Sequence, residues 1–219
     1  MGNDLIPYDF GLVYCVRCLD GLARLPDNCI DMIVTECPTS DDSYFEPCAR
    51  VLKPTGAFYV RSGDIGSWNQ TWIHRLDRVG LAVIHTVKTT DFCLSRDFDY
   101  FLVGAKDEHC FRINPPPLEF IHPKVPQEDR INSAQRDVLT YMDLVQLSTD
   151  ENDIVLDICA GSAALGVACI RTQRRYIGFD NCDRTTKAAN KRLDIIANKM
   201  QVPTPILRKY KEKQEAKHG

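Results

Sequence analysis

Residues 154–180 constrain this chain more than any other stretch. Ile154-Val155-Leu156-Asp157-Ile158 reads as a buried strand, Cys159-Ala160-Gly161-Ser162 as a turn, and the following residues to Ile170 as a helix. Tyr176-Ile177-Gly178-Phe179-Asp180 supplies the second strand. A strand, a crossover helix and a second strand pair side by side in parallel, so the unit commits the chain to an α/β sheet. The same pattern places chemistry. Asp157 arrives at the carboxyl end of its strand, Gly161 lets the backbone pass close to a ligand, and Asp180 ends the next strand. An acid there can accept both hydroxyl hydrogens of a ribose.

The rest of the chain alternates in the same way. Strands are expected at 13–18, 30–35, 57–60, 83–87 and 100–103, and helices at 19–25, 45–52, 72–79 (stopped by Gly80) and 136–147. In the last of these, Val138, Leu139, Met142, Val145 and Leu147 are read as the apolar face. A final amphipathic helix follows Asp183. Alternation of this kind implies a mostly parallel sheet with helices on both faces. With 219 residues, 44% of them hydrophobic, one domain with a full core is expected over residues 1–200. Residues 107–131, with Pro115-Pro116-Pro117, His122-Pro123 and Val125-Pro126, read as a proline-rich linker, and 201–219 as a charged tail.

A net charge of −3 gives no global pull toward nucleic acid, so any such contact is local or lent by a partner. The ten cysteines sit in core-like surroundings and read as reduced, small hydrophobes. Cys15-Val16-Arg17-Cys18 is a lone C-x-x-C without a second pair, and no metal site is expected. No apolar run approaches the ~18 residues of a membrane span. The start Met1-Gly2-Asn3-Asp4 shows no secretory signal, so an intracellular location, cytoplasmic or nuclear, is expected.

The chain resembles the β-group DNA amino-methyltransferases (adenine N6 or cytosine N4). Ile30-Asp31-Met32-Ile33-Val34-Thr35-Glu36-Cys37-Pro38-Thr39 is similar to their V-D-L-I-V-T-D-P-P-Y, and 154–162 to V-L-D-P-F-A-G-S-G. Arg50-Val51-Leu52-Lys53-Pro54-Thr55-Gly56 is similar to R-V-L-K-P-x-G, Arg24 to Asn28 to L-P-D-x-S, and Phe98 to Val103 to H-E-Y-I-L-V-F. The resemblance runs from Val13 to Leu193, with the catalytic motif ahead of the cofactor motif, the circularly permuted order of that group. It implies a Rossmann-like class I methyltransferase fold. It also implies an S-adenosylmethionine site at Asp157, Cys159, Ala160, Gly161, Ser162, Asp180 and Asn181, and a catalytic turn at Glu36, Cys37, Pro38 and Thr39.

In those enzymes the first acid and a turn carbonyl accept the hydrogens of a flipped-out base's amino group, and the last aromatic stacks on the base. This chain departs at the chemistry. Glu36 replaces the acid, and its extra methylene shifts the carboxylate by roughly an ångström, a displacement that costs on the order of 100-fold in rate. Cys37 frees the φ angle that proline fixes. Thr39 loses a stacking partner worth about 1–3 kcal/mol, for which another aromatic nearby, such as Tyr44, could partly substitute. Ala163 stands for the second glycine, Arg17 for the acid near the cofactor adenine, and Asn132-Ser133-Ala134-Gln135-Arg136-Asp137-Val138 keeps only the Gln and Val of H-P-T-Q-K-P-V.

The linker occupies the place of a target-recognition region, so sequence-specific reading of DNA is not expected of this chain alone. Weak or absent binding of S-adenosylmethionine is expected. The preferred reading is a non-catalytic structural or regulatory subunit beside an active methyltransferase or in a larger nucleic-acid-modifying complex. The alternative is an active DNA or RNA methyltransferase using Glu36.

Overall fold

The computed structural model describes residues 6–36, 43–62, 78–90, 93–106, 119–123 and 137–200. Cys37, Pro38, Thr39, the expected helix over 72–77, the linker apart from 119–123, and the tail lie outside the described residues.

Among the described residues eight strands form one sheet: β1 (Leu12–Cys15), β2 (Ile30–Thr35), β3 (Leu52–Ser62), β4 (Arg78–Thr90), β5 (Cys93–Ala105), β6 (Glu119–Pro123), β7 (Ile154–Asp157) and β8 (Arg175–Asp180). Their spatial order is β1-β8-β7-β2-β3-β5-β4-β6. β5 runs antiparallel to both its neighbours, and every other pairing is parallel. The described helices are α1 (Cys18–Leu22), α2 (Phe45–Val51), α3 (Val138–Ser148), α4 (Ala164–Arg171) and α5 (Asp183–Lys199).

Alternation along the central strands builds a core on each face. On one face Ile30, Ile33, Phe58, Leu156, Ile177 and Phe179 meet Leu22 of α1 and Phe45, Cys48 and Val51 of α2. On the other, Met32, Val34, Tyr59 and Val155 meet Leu144 and Val145 of α3, Leu165 and Ala168 of α4, and Leu193 of α5. The expected α/β sandwich, with helices on both faces of a mostly parallel sheet, is the observed fold.

A polar residue ties its centre. Asp31 of β2 accepts the Ile154 N–H of β7 at 2.9 Å and both bonds of the Lys53 ammonium at 2.8 and 2.9 Å. One side chain therefore sets the offset of β2 against both its neighbours.

Four local expectations are corrected. Arg78, Val79 and Gly80 belong to β4, not to a helix and its stop. β4 and β5 pair along their full 13-residue lengths, whereas β3 pairs only with Tyr100–Ala105, so Cys93–Asp99 run beyond the carboxyl end of β3. The alternating stretch was read too short because its hairpin partner, not the sheet, supports its outer half. The linker contains a strand, β6, which pairs with Val83–Val87 of β4. Finally, the buried face of α3 keeps the expected Val138, Met142, Val145 and Leu147 but not Leu139, which is exposed, and adds Tyr141 and Leu144. Asp137 starts that helix by accepting the Leu139 N–H at 3.1 Å, a side-chain N-cap.

Candidate active site

The sheet reverses its winding between β7 and β2. From β7 the chain steps outward to β8, while β2 steps the other way to β3. A crevice opens at the carboxyl ends of strands at such a switch point. Here register puts Val34 opposite Asp157 and Thr35 opposite Val60, so Glu36 leaves β2 beside the ends of both neighbours.

The crevice is a cavity of ≈190 Å³ lined by Val34, Thr35, Glu36, Tyr141, Asp157, Cys159, Ala160, Gly161, Ser162, Ala164 and Leu165. Five expected cofactor residues and the expected acid thus share one wall. Asp180 stands behind that wall and holds it: one oxygen accepts the Gly161 N–H at 3.0 Å and the other the Cys182 N–H at 2.9 Å. Asn181 is exposed beyond β8, away from the lining.

The turn needs left-handed backbone at two residues. Gly161 has φ +50° with nothing within 4 Å of the space a Cβ would fill, which leaves the backbone open to a ligand. Ala163 has φ 55° and ψ 40° and is fully buried at the start of α4. An L-residue there carries about 1–2 kcal/mol of strain. The departure from glycine is therefore absorbed as backbone strain inside the protein. Ala163→Gly is expected to raise stability by about 0.5–1 kcal/mol, the strain relief outweighing the lost methyl burial; an unchanged or lower melting temperature contradicts this.

Glu36 is held from two sides. The Tyr141 hydroxyl of α3 donates to its Oε1, and the Arg61 guanidinium of β3 donates to its Oε2 at 3.4 Å. Tyr141 is itself fixed edge-on against Phe101, with ring centroids 6.4 Å apart. Neither Tyr141 nor Arg61 was expected from the sequence. Alternation along β3 was the available signal for Arg61, whereas Tyr141 lies 105 residues from Glu36.

Asp157 is buried at the end of β7 and accepts the Cys159 N–H at 3.2 Å. Burial, reinforced by the negative charges of Glu36 and Asp180, pushes its carboxyl up to about 8, against the smaller opposing pull of that N–H.

Other expectations resolve as follows. Tyr44 is 2% exposed in the core between α1 and α2, so it offers no face to a base. Arg17 precedes α1 with a largely exposed side chain 4.0 Å from Asp20. Cys15, Cys18, Cys29, Cys48, Cys169 and Cys182 are free thiols, but Cys159 is disulfide-bonded, which corrects the reading of the cysteines as uniformly reduced. Among the described residues no helix is long and apolar enough to cross a membrane.

The sheet order, with helices on both faces, is that of a class I, Rossmann-like methyltransferase fold. A sequence profile of DNA methylases matches residues 106–191. The type II methyltransferase M.HpaI of Haemophilus parainfluenzae is 25% identical over 82% of this chain and 73% of its own length. The putative methylase YubD of Escherichia coli K12 is 25% identical over 84% and 90%. Among solved structures, M1.HpyAVI bound to S-adenosylmethionine superposes with a TM-score of 0.65 at 18% identity, over 83% of this chain and 98% of that one. The cytosine-N4-specific PvuII DNA methyltransferase gives 0.62 at 14% identity, over 88% and 95%. In sequence and fold the chain is similar to the N6/N4 DNA amino-methyltransferase family.

The residues present fit the cofactor of that family. Gly161 leaves its backbone open to the cavity, and a carboxylate stands behind the turn at Asp180, each of its oxygens keeping a lone pair beyond its N–H bond. When bound, S-adenosylmethionine supplies an electrophilic methyl group on a sulfonium. Asp157, Ala160, Gly161 and Ser162 are the residues that would hold it, with Asp180 ordering the turn.

Proposed function

We propose that this chain binds S-adenosylmethionine but does not by itself methylate nucleic acid. It serves as a structural or regulatory subunit beside an active amino-methyltransferase or within a nucleic-acid-modifying assembly. The observation that carries this reading is the engagement of Glu36. Amino-group methylation needs an acceptor that waits for the substrate's N–H groups and leaves the nitrogen lone pair aimed at the methyl. Here Tyr141 already donates to one carboxylate oxygen and Arg61 to the other. A carboxylate paired in this way is a weaker and misdirected acceptor.

Methyl incorporation from labelled cofactor into single- and double-stranded DNA and RNA tests this with the purified full chain. Incorporation is expected at background, and unchanged in Glu36→Ala. Robust transfer that Glu36→Ala abolishes overturns the reading. The combined change Glu36→Asp, Cys37→Pro and Thr39→Tyr is expected to lift transfer above background.

A second reading, an active enzyme with Glu36 as acceptor, is favoured by one fact: Glu36 and the 159–162 turn line the same cavity. It predicts transfer to non-specific or single-stranded substrate, or transfer only when a partner supplies recognition.

A further inference from the structure

We propose that the disulfide at Cys159 is a redox latch on the cavity: its sulfur pairs with Cys37, tying the turn after β7 to the chain leaving β2, and small thiols open it to admit the cofactor. The bond stands independently of the cofactor reading above; its effect on cofactor entry rests on that reading.

Cys159 lines the cavity and is half-buried, so a small thiol can reach its sulfur from solvent. It is disulfide-bonded, while Cys15, Cys18, Cys29, Cys48, Cys169 and Cys182 are free. Two of those free thiols, Cys15 and Cys182, are exposed. A bond set among free thiols is the pattern of a redox-sensing disulfide, whereas a secreted framework pairs its cysteines throughout.

The partner is then Cys37, Cys93 or Cys110, whose side chains all lie outside the described residues. Chain connectivity selects Cys37. β2 and β7 pair Val34 with Asp157, so Glu36 and Cys159 leave neighbouring strands at the same level, and both line the cavity. Cys37 follows Glu36 with a Cα–Cα step of about 3.8 Å. Neighbouring strands lie ~4.8 Å apart, and a disulfide needs roughly 4.4–6.8 Å between Cα atoms. Cys93 opens β5, whose Tyr100 already pairs with the last residue of β3, Ser62; the stretch between them runs roughly 24 Å further. Cys110 follows Lys106, which bonds the Gly56 carbonyl near the amino end of β3, opposite to the cavity. Cys37 stands at the first proline of D-P-P-Y and Cys159 at the phenylalanine of V-L-D-P-F-A-G-S-G. Two such departures, one on each side of a single cleft, are what a cross-link requires.

With the bond in place the cavity holds ≈190 Å³, below the roughly 300–1,000 Å³ of pockets that enclose a small-molecule ligand. The latched form is therefore the closed one. Opening it consumes two thiols of the glutathione class. The first, as thiolate, attacks one sulfur and breaks the S–S bond, leaving a mixed disulfide and releasing the other cysteine. The second attacks the mixed disulfide and releases the remaining cysteine. Two electrons and the two thiol protons end on the protein sulfurs, and the small thiols leave as their own disulfide. The reverse exchange closes the latch.

Peptide mapping of the full chain, with free thiols blocked before digestion, tests the pairing. After treatment with glutathione disulfide a peptide linking Cys37 to Cys159 is expected, and after millimolar reduced glutathione both cysteines are expected free. A different partner for Cys159, or a bond that survives the reduced thiol, overturns the latch. Calorimetry reads the consequence: S-adenosylmethionine is expected to bind the reduced chain about tenfold or more tightly than the oxidised chain, and to bind Cys37→Ser alike under both conditions. Amide hydrogen exchange without ligand separates the two readings. Residues 159–163 are expected to exchange faster on reduction of the wild type, with no such response in Cys37→Ser. If exchange responds but neither form binds S-adenosylmethionine, the latch stands and the cofactor reading falls. If both forms bind alike, or exchange does not respond, the latch is overturned. Should Cys37→Ser not fold, the oxidised and reduced wild type decide the matter.

Discussion

Raising the pH from 6 to 9 is expected to lower the melting temperature of the ligand-free protein by roughly 5–10 °C, with most of that loss absent in Asp157→Asn. The sign follows from the direction of the shift. Asp157 holds its proton more tightly folded than unfolded, where a carboxyl titrates near ~3.9. Its contribution to stability is therefore fully present below the unfolded value and is lost as pH rises through about 8. Over that window the native state gives up a proton that the unfolded state lacks throughout, which integrates to about 3 kcal/mol. A domain of this size moves by about 2–4 °C per kcal/mol. Asparagine keeps an oxygen for the Cys159 N–H and cannot ionise, so it isolates the titration from the hydrogen bond. Thermal melts across the window, wild type against variant, decide it; parallel curves for the two proteins would rule the explanation out.

Tyr141→Phe is expected to destabilise the fold by about 1.5–3 kcal/mol, the range for a buried hydrogen bond to a charged group. The ring and its edge-on contact with Phe101 survive the change, so the loss reports the hydroxyl alone. In Glu36→Gln the same hydroxyl has only a neutral partner, and the second substitution should then cost distinctly less. A double-mutant cycle in chemical denaturation measures that coupling, expected at about 1 kcal/mol or more. Strict additivity would show that Tyr141 and Glu36 do not act on each other. The outcome bears on function, because a glutamate that braces α3 and β3 across the cavity is a strut first and an acceptor second.

Most of the cofactor half was legible because it is local. The strand, turn and helix of residues 154–171 each carry their own signal, and Asp157 and Gly161 sit where the turn must put them. Two central strands were also legible, since Ile30–Thr35 and Tyr176–Phe179 are apolar runs bounded by polar turns. The catalytic half was less so. Glu36 was found by its position after a strand, but nothing near it along the chain announces Tyr141 or Arg61. Tyr44 misled for the same reason: closeness along the chain to residue 39 suggested a stacking face, whereas α2 turns that ring into the core.

What the amino-acid sequence determined alone is whatever depends on neighbours within about one helical turn or one strand: the α/β alternation, the glycine turn, the acids at strand ends and the order of the two motifs. What tertiary structure decided is what those residues meet. The register of β2 between β7 and β3 brings Glu36 to Asp157 and Arg61, and the packing of α3 on the sheet brings Tyr141 to the same carboxylate. Ala163 took its left-handed strain and Asp157 its raised carboxyl pKa only when the surrounding layers closed over them. Dihedral preferences and hydrophobic period are short-range properties that a chain carries along its length, while desolvation and charge pairing exist only between elements already packed together.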